Sequence, residues 1–435
     1  MNVKSKNSIL NNKLNFILLI TLLVFLFIPL FVLKFKIIPK TKLNGIADVK
    51  PYKKLTYENL YSNDFQKSFD NYFMRANALW GYLVKINNEL SYRLFNQITF
   101  SYGPEAIVGK DGSLIQPMYF NSFNRQFTPD DFLLIKKANK LKKLENLLEK
   151  KGVKLLVVVN PNNTAMYSRN IPNKFKDPTR FQRENSYEIM KRYIEKLNIP
   201  FVDNYEYLMK MKNKVDFKFF EPTGSHLNEV GSCLGTNNLL NTIKEAFPKK
   251  DINNFPCFPV KEIYPPKSED TDLLNVSNLL FPNRLLHPGH YVPEAKKLYN
   301  EAPLKLLFVG TSFNFAVQEH LQKRNIAKSK LYFYYKSIRT DDGVFHILDK
   351  RKINWQNDVF KNDVIILESN YSGLGGVGYS FLSDAIIKLK KDLFKTEKEL
   401  KTWQNDIKKK IIKQSKKNNI NTILESEFNP FENKQ

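Results

Sequence analysis

The chain has 435 residues, of which 42% are hydrophobic, and this length allows one large domain or two ordinary ones. Its formal net charge of +25 comes from 68 lysines and arginines against 43 aspartates and glutamates. Because no zinc finger, RNA-binding signature or arginine-rich arm accompanies this charge, we predict no nucleic-acid partner. A basic field also suits an acidic membrane surface or an anionic polymer.

The first predicted element is an apolar segment near the N-terminus. The 20 residues from Leu14 to Leu33 contain two polar breaks, and this is about the length that spans a hydrocarbon core. Lysines at positions 4, 6 and 13 favour a cytoplasmic N-terminus. No small-x-small cleavage site closes the run, so we predict an uncleaved signal anchor within residues 1–44. A cleaved signal peptide is the alternative. Either reading places the rest of the chain outside the cytoplasm.

An alternation of helices and strands follows the anchor. The stretch 128–152 predicts a helix, with Thr128 as its N-cap, Pro129 at its first position and Gly152 at its end. Further helices are predicted over 180–197 and after His226. Apolar runs predict strands within 153–159, 199–204, 304–310 and 363–369. This order indicates a three-layer α/β/α domain with a mainly parallel sheet, over residues 45–382.

Polar residues follow three of the predicted strands. Asn160, Ser312 and the run from Glu368 to Asn370 stand at strand ends. In parallel sheets the active site lies at the carboxyl ends of the strands. Ser312 follows the strand in "KLLFVGTSFNF" and precedes a predicted helix, so it is either a nucleophile on a strand-to-helix turn or a helix N-cap.

The sequence has five histidines, and His226 is the best placed to act as a base. It lies in "EPTGSHLNEVGS", a loop that opens an amphipathic helix, although a surface histidine fits this position too. His287 and His290 form an H-x-x-H pair without an evident third ligand, so we read them as loop histidines and predict no metal and no cofactor. His320 lies too far along the helix after Ser312, and His346 has no distinctive context.

Two cysteines, Cys233 and Cys257, fit either redox compartment. They would pair in an oxidising space, and buried free thiols are the alternative.

Five motifs in this order carry a family resemblance. They are "IVGKDGSLI" (107–115), "VVVNPNNTAMY" (157–167), "TGSHLNEVG" (223–231), "FVGTSF" (308–313) and "VIILESN" (364–370). Together they resemble the alginate O-acetyltransferase group of the AlgX/AlgJ type, which are SGNH-hydrolase-like domains of bacterial envelopes. The likeness covers roughly residues 60–382, and the membrane anchor in front also fits the family.

The resemblance implies roles for two residues. Ser312 matches the family's nucleophile and His226 matches its general base. Gly224 stands where the family has an acid, and Leu227 replaces a tryptophan. A Ser-His dyad, an inactive glycan-binding subunit, or a substitute acid would each account for this departure. The substitutes considered are Glu221, Asp203 and Glu368.

The implied chemistry is acyl transfer from a serine. Ser312 would attack an acetyl donor, with its backbone N–H as the first oxyanion donor and Asn160 and Asn370 as possible further donors, or else as turn residues. A hydroxyl of an envelope or exported polysaccharide would accept the acetyl group; water in its place would make the protein a carbohydrate esterase. The resemblance also implies a membrane-bound acyltransferase as the donor partner. We expect the catalytic domain to lie on the outer side of the cytoplasmic membrane.

The last segment, residues 383–435, is lysine-rich. From Phe381 to about Lys417 apolar residues recur at helical spacing, which predicts a basic amphipathic helix. Such a helix could dock on anionic lipid or a partner, pack on the domain with a solvated basic face, or form a coiled-coil seam.

Overall fold

The computed structural model describes residues 3–46, 49–99, 105–126, 128–264, 266, 268–285, 290–335, 337–340 and 349–417. His287 and His346 lie outside these ranges, as does the tail beyond residue 417. The chain forms two compact units. The first comprises residues 1–108 and 273–286, and the second comprises residues 109–272 and 287–435.

The first unit is mainly helical. Its elements before residue 109 are α1 (Val3–Phe35), α2 (Tyr57–Tyr61), α3 (Asp64–Ala76), α4 (Ala78–Phe95), β1 (Gln97–Thr99) and β2 (Glu105–Val108). β1 and β2 pair antiparallel. Within α1, the segment Lys13–Phe35 is long and apolar enough to cross a membrane. It contains the predicted span and is consistent with a membrane anchor or a signal sequence.

The second unit contains the alternating elements. In chain order they are β3 (Leu114–Ile115), α5 (Pro117–Phe123), α6 (Asp131–Glu149), β4 (Lys154–Asn160), α7 (Asn163–Met166), α8 (Ser186–Lys196), β5 (Phe201–Asp203), α9 (Asn204–Met211), α10 (Glu229–Ala246), β6 (Val260–Ile263), α11 (Asp272–Ser277, which continues into the first unit), β7 (His290–Pro293), β8 (Leu304–Gly310), α12 (Phe313–Lys323), β9 (Ala327–Lys328), β10 (Leu331–Tyr334), β11 (Ser337–Thr340), β12 (Val364–Asn370), α13 (Tyr379–Leu393) and α14 (Glu397–Lys417).

The central sheet has the strand order β11-β10-β8-β12-β4-β5, and β9 pairs with the start of β8. Every pairing in it is parallel except the edge hairpin of β10 and β11. The sheet therefore places the carboxyl ends of β8, β12 and β4 side by side. A separate ribbon pairs β6 with β7 antiparallel.

Both faces of the sheet are buried. Along β4, Leu155, Val157 and Val159 pack into a cluster with α6, α8 and α13, whereas Leu156 and Val158 pack into a cluster with α10 and α12. Successive residues of a strand point to opposite faces, so helices cover the sheet on both sides. The predicted three-layer α/β/α fold with a mainly parallel sheet is confirmed.

The start of α6 differs from the predicted one. Helix α6 begins at Asp131 rather than at Pro129, because the carboxylate of Asp130, and not Thr128, accepts the first-turn N–H of Phe132.

The C-terminal segment is also organised differently. The predicted single helix is two helices, α13 and α14, which are interrupted at residues 394–396. Trp403 and Ile407 of α14 are buried in the same cluster as α13. The described part of this tail therefore packs on the domain, which is one of the three alternatives that the sequence left open.

The two cysteines, whose pairing the sequence left open, form a disulfide. Cys233 lies in α10 and Cys257 in the loop after it, with their Cα atoms 5.8 Å apart.

Candidate active site

Ser312 follows β8 and immediately precedes α12. Its backbone is already in the helical region, with φ −58° and ψ −17°, and its side chain makes no capping hydrogen bond. The hydroxyl of Thr311 instead accepts the N–H of Phe313 at 3.3 Å. The N-cap interpretation of the Ser312 hydroxyl is therefore wrong, and this hydroxyl is directed elsewhere.

The partner of Ser312 is His226. Oγ of Ser312 lies 2.6 Å from Nε2 of His226, although the two residues are 86 positions apart in the chain. His226 stands in the loop before α10, and its ring packs against that of Phe313 with centroids 5.0 Å apart. The imidazole side chain is 19% exposed, so the pair is reachable from solvent.

An acid contacts the other nitrogen of the imidazole. Oδ2 of Asp272, the first residue of α11, lies 3.0 Å from Nδ1 of His226. Ser225 holds this carboxylate with two further hydrogen bonds, donating its N–H to Oδ1 at 2.7 Å and its hydroxyl to Oδ2 at 2.5 Å. A carboxylate at Nδ1 favours the tautomer in which Nε2 is free to accept a proton. Ser312, His226 and Asp272 therefore have the arrangement of a nucleophile, a base and an orienting acid.

The backbone explains why position 224 is glycine. A Cβ on Gly224 would lie 2.8 Å from the carbonyl oxygen of Asp270 and 2.9 Å from that of Glu269. Thr223 fixes the same segment by donating its hydroxyl to the carbonyl of Asp270 at 2.9 Å. The segment 268–272 thus occupies the space that a side chain at position 224 would need, and the same segment supplies Asp272.

Glu368, at the end of β12, supports the turn before Ser312. Its carboxylate is fully buried and accepts hydrogen bonds from the N–H of Thr311 at 2.8 Å, from the Thr311 hydroxyl and from Nδ2 of Asn160 at 3.1 Å. Burial raises the pKa of Glu368 to about 7, against the opposing effect of these donors. Gly310 permits this contact, because a Cβ there would lie 2.5 Å from Oε2 of Glu368. Glu368 therefore fixes the turn that carries Ser312 and is not the acid that orients His226.

Asn160 belongs to a chain of side-chain amides beneath the site. Asn238 donates to Asn204 at 2.9 Å, Asn204 donates to Asn160 at 2.9 Å, and Asn160 donates to Glu368. These hydrogen bonds give Asn160 a structural role at the strand end. They do not direct its amide at Ser312, where the sequence suggested an oxyanion donor.

The other suggested residues also have contacts of their own. Oδ1 of Asn370 caps the turn after β12 by accepting the N–H groups of Ser372 and Gly373, which is the turn role considered for it. Asp203 caps α9 and accepts a hydrogen bond from Lys191 at 2.9 Å. Glu221 accepts from Nδ2 of Asn228 at 3.0 Å. The described contacts thus give the orienting position to Asp272, which the sequence analysis missed.

Aromatic side chains flank the serine. Tyr335 follows β10, is 41% exposed and interacts with Ser312. Its ring meets those of Tyr334 and Tyr379 edge-on, with centroids 4.6 Å and 5.3 Å away. The backbone of Tyr335 has φ +50°, a left-handed conformation that is uncommon for a bulky residue and is often found at functional sites.

Residues 120–324, slightly less than half of the chain, match a known protein family. The family model is described as "SGNH hydrolase-like domain, acetyltransferase AlgX". The matched range contains Ser312, His226 and Asp272. The match bears out the resemblance stated from the sequence. A search of curated proteins finds no match.

Solved structures with remote similarity include three bacterial proteins. The O-acetyltransferase domain of Pseudomonas putida AlgJ is 15% identical with a TM-score of 0.42, over 65% of this chain and 99% of that one. Bacillus cereus PatB1 with a sulfonyl adduct is 13% identical with a TM-score of 0.39, over 61% and 96%. Pseudomonas aeruginosa AlgX is 13% identical with a TM-score of 0.36, over 63% and 67%. Similarity this remote carries no information about the substrate.

Proposed function

We propose that this chain is an O-acetyltransferase that carries an acetyl group on Ser312 and passes it to a hydroxyl of an envelope or exported polysaccharide. The observation that carries the proposal is the 2.6 Å contact between Oγ of Ser312 and Nε2 of His226, with Asp272 on the opposite nitrogen. A hydroxyl is a weak nucleophile until an adjacent base removes its proton.

The first half-reaction acylates the serine. His226 accepts the proton of Ser312 as Oγ attacks the carbonyl carbon of the donor acetyl ester, and Asp272 stabilises the resulting imidazolium. The backbone N–H of Ser312, at the N-terminus of α12, would stabilise the developing oxyanion. Collapse of the tetrahedral intermediate expels the donor alcohol, which takes the proton from His226.

The second half-reaction reverses these roles with a new alcohol. His226 removes a proton from a sugar hydroxyl, the sugar oxygen attacks the acetyl carbon, and Ser312 leaves with the proton. The exposed ring of Tyr335 offers a surface on which a sugar ring can stack. Attack by water instead of sugar would release acetate, as in an esterase.

The proposed setting is the outer side of the cytoplasmic membrane. The apolar segment Lys13–Phe35 supports a single membrane anchor, and the disulfide between Cys233 and Cys257 supports an oxidising compartment. We propose a membrane-bound acyltransferase as the source of the acetyl group. Protease added to spheroplasts should digest the soluble part, and full protection would contradict this topology.

The test of the activity uses the full chain in detergent with a chromogenic acetyl ester and polysaccharide fragments. The wild-type chain should release the chromophore and acetylate the fragments, as detected by mass spectrometry. Ser312→Ala and His226→Ala should each abolish both reactions, because the two residues act as a unit. Release of acetate without acetylated fragments would favour the esterase, and an inert wild-type chain would favour a glycan-binding subunit.

A further inference from the structure

A second group of ionisable side chains lies beside the segment that supplies Asp272. It consists of Glu221, Asp270 and His290, and one potential ligand atom from each lies within 4.8 Å of the others. Asp270 is 3% exposed and His290 is 1% exposed, whereas Glu221 is partly buried. Three elements contribute to the group: the loop before α10, the 3-10 turn Ser268–Thr271, and the start of β7.

The buried atoms of this group face one another without forming hydrogen bonds. Nδ1 of His290 lies 2.7 Å from Oδ2 of Asp270, but the two atoms lack hydrogen-bond alignment. Nε2 of His290 likewise has no hydrogen-bond partner within the described ranges. Buried polar atoms are seldom left without a partner, so these atoms require an explanation.

The surroundings of the imidazole are negative. The carboxylates of Asp270, Glu221 and Glu229 interact with this ring, and negative charge of this kind favours a metal cation beside it.

We propose that Glu221, Asp270 and His290 bind a divalent transition-metal ion, through one carboxylate oxygen from each acid and one imidazole nitrogen. Two carboxylates and one histidine form a ligand set that zinc and manganese both accept. Ligands that bind one zinc ion at about 2 Å lie at most about 4 Å apart, so a small rotation of the side chains completes the set.

The ion would brace the loop that positions His226. Asp270 is two residues before Asp272, and its carbonyl packs against Gly224 and accepts the Thr223 hydroxyl. Fixing the side chain of Asp270 therefore fixes the backbone on which Asp272 stands. The ion would take no part in acetyl transfer, and the proposal does not rest on that activity.

The test measures metal content directly. The full chain, purified in detergent with a tag that contains no histidine, is dialysed separately against zinc and manganese and then against buffer. Elemental analysis should find about one ion per chain for at least one of the two metals. Asp270→Asn and Glu221→Gln keep the side-chain volumes, and each should weaken binding by more than about 10-fold. Ser312→Ala is the matched control and should bind as the wild-type chain does.

A second measurement covers the case in which the variants fail to fold. Thermal unfolding of the wild-type chain should shift to a higher midpoint with the bound metal and return to the lower midpoint with a chelator, because an ion that binds only the folded state stabilises it. Substoichiometric binding of both metals by the wild-type chain would overturn the proposal. A midpoint of thermal unfolding that does not change with the metal would also overturn the proposal. Full retention of the metal by a folded Asp270→Asn chain would overturn it too.

Discussion

The carboxylate of Asp272 lies 3.0 Å from Nδ1 of His226, and the two residues are held in register by Ser225, which donates two hydrogen bonds to that carboxylate. The place of Asp272 relative to the imidazole is therefore that of an orienting acid.

Asp272→Asn should lower kcat by about 10³–10⁴-fold, because an amide at this position no longer favours the required tautomer or stabilises the imidazolium. Initial rates with an acetyl ester measure the effect. Glu269→Gln is the matched control: its side chain is exposed on the same segment, and its rate should equal that of the wild-type chain. Wild-type activity in a folded Asp272→Asn chain would exclude the assigned role.

Gly224→Asp should destabilise the chain and should not restore activity to Asp272→Asn. The new Cβ would meet two carbonyl oxygens at 2.8 Å and 2.9 Å, and overpacking of this kind costs about 1–3 kcal/mol. Gly224→Ala should show the same loss of stability. Gly376→Ala is the control, because no atom lies within 4 Å of its new Cβ, and its midpoint of chemical unfolding should stay near that of the wild-type chain.

Glu368 should make stability depend on pH. Its folded pKa of about 7 is above the ordinary value of 4.5 for a glutamate, so between these values the folded chain holds a proton that the unfolded chain has lost. The free energy of unfolding should therefore fall as pH rises from about 4.5 to 7, by on the order of 3 kcal/mol from this group. Unfolding by urea at a series of pH values measures it. Glu368→Gln should lose this component, and identical pH profiles for the two chains would contradict the prediction.

Reduction of the disulfide should cost about 3 kcal/mol of stability, since it closes a loop with a sequence separation of 24 residues. Urea unfolding with and without a reductant gives the difference. The double variant Cys233→Ala and Cys257→Ala should be insensitive to the reductant. A wild-type chain that is equally insensitive would show that the bond contributes little.

The sequence predicted the sheet well because unbroken apolar runs are typical of strands buried on both faces. β8 begins and ends where the run 304–310 does, and β4 and β12 each lie within one residue of their predicted bounds. Helix ends were less predictable, as at Asp130, because several adjacent residues can serve as a cap and tertiary contacts choose among them.

The site could be predicted only in part. Ser312 and His226 stand beside recognisable strand and helix boundaries, but Asp272 lies in "SEDTD", where three acids occur within four residues and no local pattern distinguishes them. Only the packing of residues 268–272 against Gly224 selects Asp272. The absence of a side chain at Gly224 was a signal that another segment, residues 268–272, occupies that space.

The central claim is that Ser312 carries the acetyl group, and rapid quenching of the full chain with an acetyl ester tests it most directly. Peptide mass spectrometry should find one acetyl group on Ser312 in the wild-type chain. The acetylated fraction of Ser312 should be larger in Asp272→Asn if that variant slows deacetylation more than acetylation. Ser312→Ala should show none while unfolding at the wild-type midpoint, because its hydroxyl caps no helix. Full transferase activity in Ser312→Ala, or an acetyl group found on another residue and absent from Ser312, would contradict the account.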